Sequence, residues 1–214
     1  AYLRMDWLFA MIASICCMKR GRPAASGALI AYSTLLRIFP GLVAAAVVLK
    51  IAIASWRANK IAITPAQRRF LAGAAVTVAL LVPISTVYGG GIDCWRGFVS
   101  NSEKHLSTPL TNNMGWRTVV AYSRSTRAQV DRDYHASDPF LKWKDDQLEN
   151  YRKRKLVYVV GLLAFLALLG LAVERHDDWV ALTLGTGLII FAAQLTCYYF
   201  IGFLAFALLW PYLP

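Results

Sequence analysis

The chain has 214 residues, of which 57% are hydrophobic and only 16% charged, with a formal net charge of +11. That balance is too apolar for an ordinary soluble domain and too rich in long apolar runs for a disordered one. The basic excess does not imply nucleic acid, because it lies in turns and beside apolar segments and no base-stacking or groove-reading motif accompanies it.

Apolar runs at 2–18, 24–56, 69–88, 156–173 and 179–210 surround one polar stretch at 89–155. A helix needs roughly 20 apolar residues to cross about 30 Å of hydrocarbon. The expected class is therefore an all-α integral membrane protein, a polytopic helix bundle of about six to seven membrane segments. Some of these segments should be broken or short. The expected organisation is N-terminal membrane helices at 1–88, a polar extramembrane loop of about sixty residues at 89–155, and C-terminal membrane helices at 156–214.

The first run carries Arg4 and Asp6, which do not fit signal-peptide grammar. Together with the non-methionine start at Ala1, this leads us to expect that the segment begins inside a longer polypeptide. The 24–56 run is too long for one span. Arg37-Ile38-Phe39-Pro40-Gly41 supplies a break where two helices should meet. Small residues cluster where helices in lipid pack closely: Ala24, Ala25, Gly27 and Ala28, then Ala72, Gly73, Ala74 and Ala75.

Lys19, Arg20 and Arg22, then Arg57, Lys60, Arg68 and Arg69, form short basic turns that should face the cytoplasm. The 69–88 helix then leads outward, so 89–155 is expected outside, and a bacterial inner membrane is the expected location. Arg152, Lys153, Arg154 and Lys155 stand against this orientation, although long loops largely escape the charge rule. Within 142–155, Leu141, Leu148 and Tyr151 suggest one face of an amphipathic juxtamembrane helix, with Trp143 at the interface. A further break is expected near Gln194, Thr196, Tyr198 and Tyr199.

Gly21 to Leu29, running on to Arg37-Ile38-Phe39-Pro40-Gly41-Leu42 and then Ser55-Trp56-Arg57-Ala58-Asn59-Lys60, resembles a segment of GT-C membrane glycosyltransferases. The likeness is to the polyprenyl-phosphate-mannose-dependent family 87 type, with Arg37 where Lys is usual. It covers about residues 15–100. The resemblance implies inverting sugar transfer from a polyprenyl-phosphate donor on the external face, assisted by a carboxylate base. The external acidic loop that supplies that base in the family has no match here. The resemblance therefore implies the C-terminal part of such an enzyme, or a paralogue without the chemistry. Asp93 is the nearest candidate base by position.

As ligands for a donor phosphate or a lipid headgroup, Lys104, His105, Arg117 and Arg37 carry the right chemistry, since cations form charge-assisted hydrogen bonds to anionic oxygens. The same residues fit an interfacial loop that meets headgroups. Arg37 within an apolar run marks either a functional pathway, with Asp6, Tyr32 or the carbonyls freed by Pro40 as partner, or a snorkelling side chain. Asp131, Asp133 and His135 have oxygen and nitrogen ligands suited to a divalent metal, and equally resemble a solvated mixed-charge surface.

No cofactor is identified, and a polyprenyl-phosphate sugar is the expected substrate. Cys16, Cys17, Cys94 and Cys197 have no metal-ligand spacing. His105, His135 and His176 all lie outside the apolar runs, so no haem or chlorophyll ligation by histidine is expected. Membrane lipids, and possible further membrane subunits, are the expected partners. The alternatives to a glycosyltransferase are a non-catalytic subunit or scaffold of a larger complex and, behind it, a transporter built on the two breaks.

Overall fold

The computed structural model describes residues 5–212, and all side chains among them except those of 105–107 and 211–212. It is a mostly helical membrane protein, with three helices long and apolar enough to cross a bilayer: Gly41–Ala58, Pro65–Tyr88 and Lys155–Arg175. In chain order the helices are α1 (Asp6–Lys19), α2 (Pro23–Leu36), α3 (Gly41–Ala58), α4 (Pro65–Tyr88), α5 (Asp93–Ser107), α6 (Trp116–Ala121), α7 (Leu141–Lys153), α8 (Lys155–Arg175), α9 (Asp178–Gly185) and α10 (Leu188–Ala192). A 3₁₀ helix, Cys197–Tyr212, follows.

The long second run breaks at Arg37, which is extended (φ −150°, ψ 127°) and ends α2, while Pro40 caps α3. A proline has no N–H to donate and suits a helix start, where that N–H would have no intrahelical partner. The last run breaks at Ala193–Thr196, where β2 (Leu195–Thr196) pairs antiparallel with β1 (Asn113–Met114) from the polar stretch.

The core is centred on α1, α3 and α9 and is completed by α2, α4, α8, α10 and the 3₁₀ helix, with Met11, Ile15, Val43, Val47 and Leu182 fully enclosed. Helices α2 and α4 approach at backbone contact through Gly27 and Gly73. A Cβ on Gly27 would collide with the Phe70 carbonyl, and one on Gly73 with the Ala24 carbonyl. This is the small-residue contact that membrane helices use in place of a hydrophobic driving force.

The 3₁₀ helix shows its three-residue period in its packing. Gly202 and Ala205 are buried, Tyr199 and Leu208 half-buried, and Tyr198, Ile201, Leu204, Ala207 and Trp210 exposed. Eclipsed side chains at i and i+3 bring the rings of Phe200, Phe203 and Phe206 to 5.5 and 5.6 Å in succession.

The polar stretch carries more structure than a loop: α5 extends from the end of α4, while α6, β1 and α7 pack as a cap, with α7 over most of the expected 142–155 helix. Trp143 of α7 lies inside the cap against Phe140 at 6.4 Å, not at an interface, and Gln147 is buried one turn further on. The inward face of α7 is thus Trp143–Gln147, whereas Leu141 points out. Leu148 and Tyr151 of the expected face are half-buried beside it, and Tyr151 packs on Tyr158 and Arg117.

Replacing Gly73 with Val should lower stability by about 1–3 kcal/mol or more, because rigid backbone on the facing helix cannot yield. Gly97→Ala, whose new methyl meets nothing, should be neutral or slightly stabilising. Thermal unfolding of the two variants in detergent separates them, and equal transition temperatures would refute the close-contact account.

Candidate functional site

Two polar regions stand at opposite ends of the bundle. At one end, the C-termini of α1, α3 and α8 meet the N-termini of α4 and α9. Lys50 is on the same stripe of α3 as the buried Val43, Ala46 and Val47. Its ammonium donates to Asp178 Oδ1 at 2.9 Å and to the His176 carbonyl at 2.6 Å. Gln67 Nε2 donates to the same Asp178 oxygen at 3.0 Å, while Gln67 Oε1 accepts from the Thr64 N–H and closes a capping box on α4. Arg57 pairs with Glu174, and the Lys19 ammonium lies 4.3 Å over the Trp179 ring.

The other end holds the α2–α3 break, the strand pair and the cap. The rings of Trp7, Phe39 and Tyr199 pack at 4.8 to 6.0 Å and make a platform. Ser33 Oγ donates to the Trp7 carbonyl at 2.7 Å and holds α1 against α2 beneath it. Arg37 is exposed, with its guanidinium 5.7 Å above the Tyr199 ring. Its aromatic partner comes from 162 residues downstream, while Asp6, in the first turn of α1, accepts from the neighbouring Trp7 N–H. Neither Asp6 nor Tyr32 takes the role expected of it.

Beside the platform, Cys197 N–H donates to the Asn112 carbonyl at 2.9 Å. Gln194 Oε1 and Thr196 Oγ1 are buried without a hydrogen-bond partner. Buried polar atoms are rarely left so, and such atoms mark places where water or a polar ligand completes the set.

The cap is joined to the bundle by Trp116 and Arg154. Gly161 leaves room for the Trp116 indole, whose Nε1 donates to the Tyr158 carbonyl at 3.1 Å. Gly115, at φ +121°, lets the chain pass close to the Ala193 carbonyl, where a side chain would clash. Arg154 donates to the carbonyls of Val120 and Tyr122 at 3.2 and 2.7 Å.

The predicted ligands are not gathered. Arg117 lies over the Tyr151 ring at 4.4 Å within the cap. Lys104 is on α5, an exposed helix fastened to α4 by Trp95 Nε1 donating to Thr86 Oγ1 at 2.7 Å. The His105 side chain lies outside the described residues. Asp93 is exposed and paired with Arg96 at 2.8 Å, a local i,i+3 pair. The structure assigns no base role to it.

The candidate metal ligands also separate. Asp131 is buried and bound to Lys142 at 3.2 Å, Asp133 Oδ1 accepts from the His135 N–H, and the His135 side chain is exposed. Among the described residues no three His, Cys, Asp or Glu side chains are placed to hold a metal ion. Lys50, Gln67 and Asp178 were missed by sequence reasoning, although a lone Lys in an apolar run and a Thr-x-x-Gln pattern were legible signals.

Comparison with known protein families, curated proteins and solved structures finds no match to this chain.

Lys50→Met leaves the Asp178 charge largely enclosed with only Gln67 beside it and should cost about 3 kcal/mol, as for other half-broken buried pairs. Adding Asp178→Asn should recover much of that loss in a double-mutant cycle followed by thermal unfolding. Additive losses would show that the pair is not coupled.

In the cap, Lys144 donates to Asp138 Oδ2 at 2.6 Å, and this hydrogen bond, with a second from the Phe140 N–H, holds the Asp138 carboxyl below its ordinary value. The contact is therefore fully present above the ordinary aspartate range and is lost as pH falls through the lowered value. Carboxyl-carbon NMR titration should place Asp138 below the exposed aspartates, and Lys144→Ala should return it towards them.

Proposed function

We propose that this chain is part of a GT-C-like membrane glycosyltransferase that receives a polyprenyl-phosphate sugar at the capped end. The observation that carries this reading is the exposed Arg37 guanidinium on the Tyr199 platform, with the unpartnered Thr196 Oγ1 and Gln194 Oε1 three and five residues before Tyr199 in the chain. A lipid-linked sugar presents an anionic phosphate near the membrane surface and hydroxyls just beyond it. A cation with several N–H donors suits the first, and buried neutral polar atoms suit the second. In this reading Arg37 steadies the phosphate as it departs with the bond electrons, and the platform excludes water on one side.

The orientation that accompanies the proposal puts the cap outside and the turns at 20–22, 59–64 and 176–177 in the cytoplasm. Support comes from the way the opposing basic cluster is used. Arg154 is engaged with two carbonyls of the cap and Lys153 with Glu149 at 2.6 Å, so two of the four cations are used within the protein. The carboxylate base is assigned to a segment outside residues 1–214, as the resemblance implies.

A non-catalytic subunit is the second reading. It is favoured by α4, which packs along α2 and leaves Val76, Leu80, Ile84 and Val87 exposed, a flank that either lipid or another membrane subunit would cover.

The test uses the full natural polypeptide in lipid nanodiscs with a radiolabelled polyprenyl-phosphate hexose. Arg37→Ala should reduce donor binding and transfer at least about tenfold, the scale of one lost charge-assisted contact, and Arg37→Lys should retain part of it. Neither binding nor transfer by the unaltered protein would favour the subunit reading instead.

A further inference from the structure

At the end of the bundle away from Arg37, a groove of about 550 Å³ opens between α3 and α8. Leu49 and Ile53 form one wall, Leu166 and Leu171 part of the other. Gly170 keeps the floor low, since Ile53 Cδ1 already lies 3.0 Å from where a Cβ would stand. Ala167, small and exposed, leaves the side of the groove open. Both walls belong to helices that are long and apolar enough to cross a membrane, so the open side faces hydrocarbon and not water.

The rim is of different chemistry. Trp56 is 84% exposed at the last turn of α3, where an indole in a membrane protein reaches the headgroup layer. The Arg57 side chain is 63% exposed and is held by Glu174 from one side. A guanidinium has five N–H donors in a planar fork, so one carboxylate leaves donors turned outward. Lys60 and Arg175, both exposed, follow Arg57 and Glu174 closely in the chain, and with the exposed Asp177 counted the two turns carry three cations against two acids. An apolar slot of hydrocarbon character that ends in outward guanidinium donors, a net positive rim and an interfacial indole complements one kind of molecule.

We propose that this groove is a binding site for an anionic phospholipid, with an acyl chain along Leu49, Ile53 and Gly170 and the phosphate on Arg57. Trp56 borders the glycerol level, and Glu174 fixes the guanidinium so that its free edge faces the membrane surface. The site lies at the opposite end from the proposed donor site and stands whether or not the chain transfers sugar.

Native mass spectrometry and thermal shift on the delipidated full chain test this, using phosphatidylglycerol and phosphatidylcholine with identical acyl chains. The unaltered protein should keep one phosphatidylglycerol with about tenfold preference over phosphatidylcholine and gain transition temperature only from the former. Arg57→Gln should erase the preference. Ala167→Phe, which fills the groove from its exposed side, should erase retention of both lipids while unfolding at the unaltered temperature when no lipid is added. Equal retention of the two lipids by the unaltered protein, or undiminished phosphatidylglycerol binding by Ala167→Phe, would overturn the proposal. So would disulfide-linked dimer formation by Ala167→Cys, which would show that a second copy covers the groove.

Discussion

The Asp178 carboxylate is the constraint on which the bundle depends. Lys50 lies on the buried stripe of α3, and a lone ammonium among apolar helices is costly unless it is paired. Asp178 meets that need from the first turn of α9, where the helix dipole also favours a negative charge. The same oxygen accepts from Gln67, whose other amide atom closes the cap of α4. One carboxylate thus fixes the depths of α3, α4 and α9 relative to one another. From that depth follow the meeting of Arg57 with Glu174 and the approach of Gly185 to the Val43 carbonyl, where a side chain would not fit.

With that end fixed, the opposite end is left for chemistry. The α2–α3 break delivers Phe39 inward and Arg37 outward, because an extended residue followed by a proline-capped helix start turns successive side chains apart. The platform beneath Arg37 draws Trp7, Phe39 and Tyr199 from three separate elements. Its rings do not depend on local sequence pattern, and neither does the joint where Arg154 grips two carbonyls more than thirty residues upstream.

What was legible in the sequence divides along that line. Breaks set by proline, by a charge or by a polar cluster were readable at Arg37–Pro40 and near Gln194–Tyr199, since they act through local backbone chemistry. The small-residue contact of Gly27 with Gly73 was readable for the same reason, because only small residues permit such an approach. The cap was not. Its folded core rests on Trp143, Gln147, Val120 and Asp131, a mixed set with no apolar period, so it read as a loop. Proximity in sequence does not decide surroundings either: Asp131 is buried, while Asp133 and His135 are exposed. Conversely, the Lys50–Asp178 pair spans more than a hundred residues, a separation no local pattern encodes.

The 3₁₀ helix explains how so thin an element completes the bundle. Sixteen residues at about 2.0 Å of rise extend about 32 Å, against about 24 Å as an α-helix. A three-residue period concentrates its core contacts on one narrow line: Tyr199, Gly202, Ala205 and Leu208. Gly202 and Ala205 are small enough for Trp7 and Met11 to approach, with the Met11 methyl 3.5 Å from where a Cβ on Gly202 would stand. An α-helical period would turn this line by about 60° at each three-residue step, so that Tyr199 and Leu208 would come to lie on opposite sides. The platform under Arg37 therefore depends on the 3₁₀ winding, and the poorer hydrogen-bond geometry of that winding is offset by the aromatic packing it makes possible.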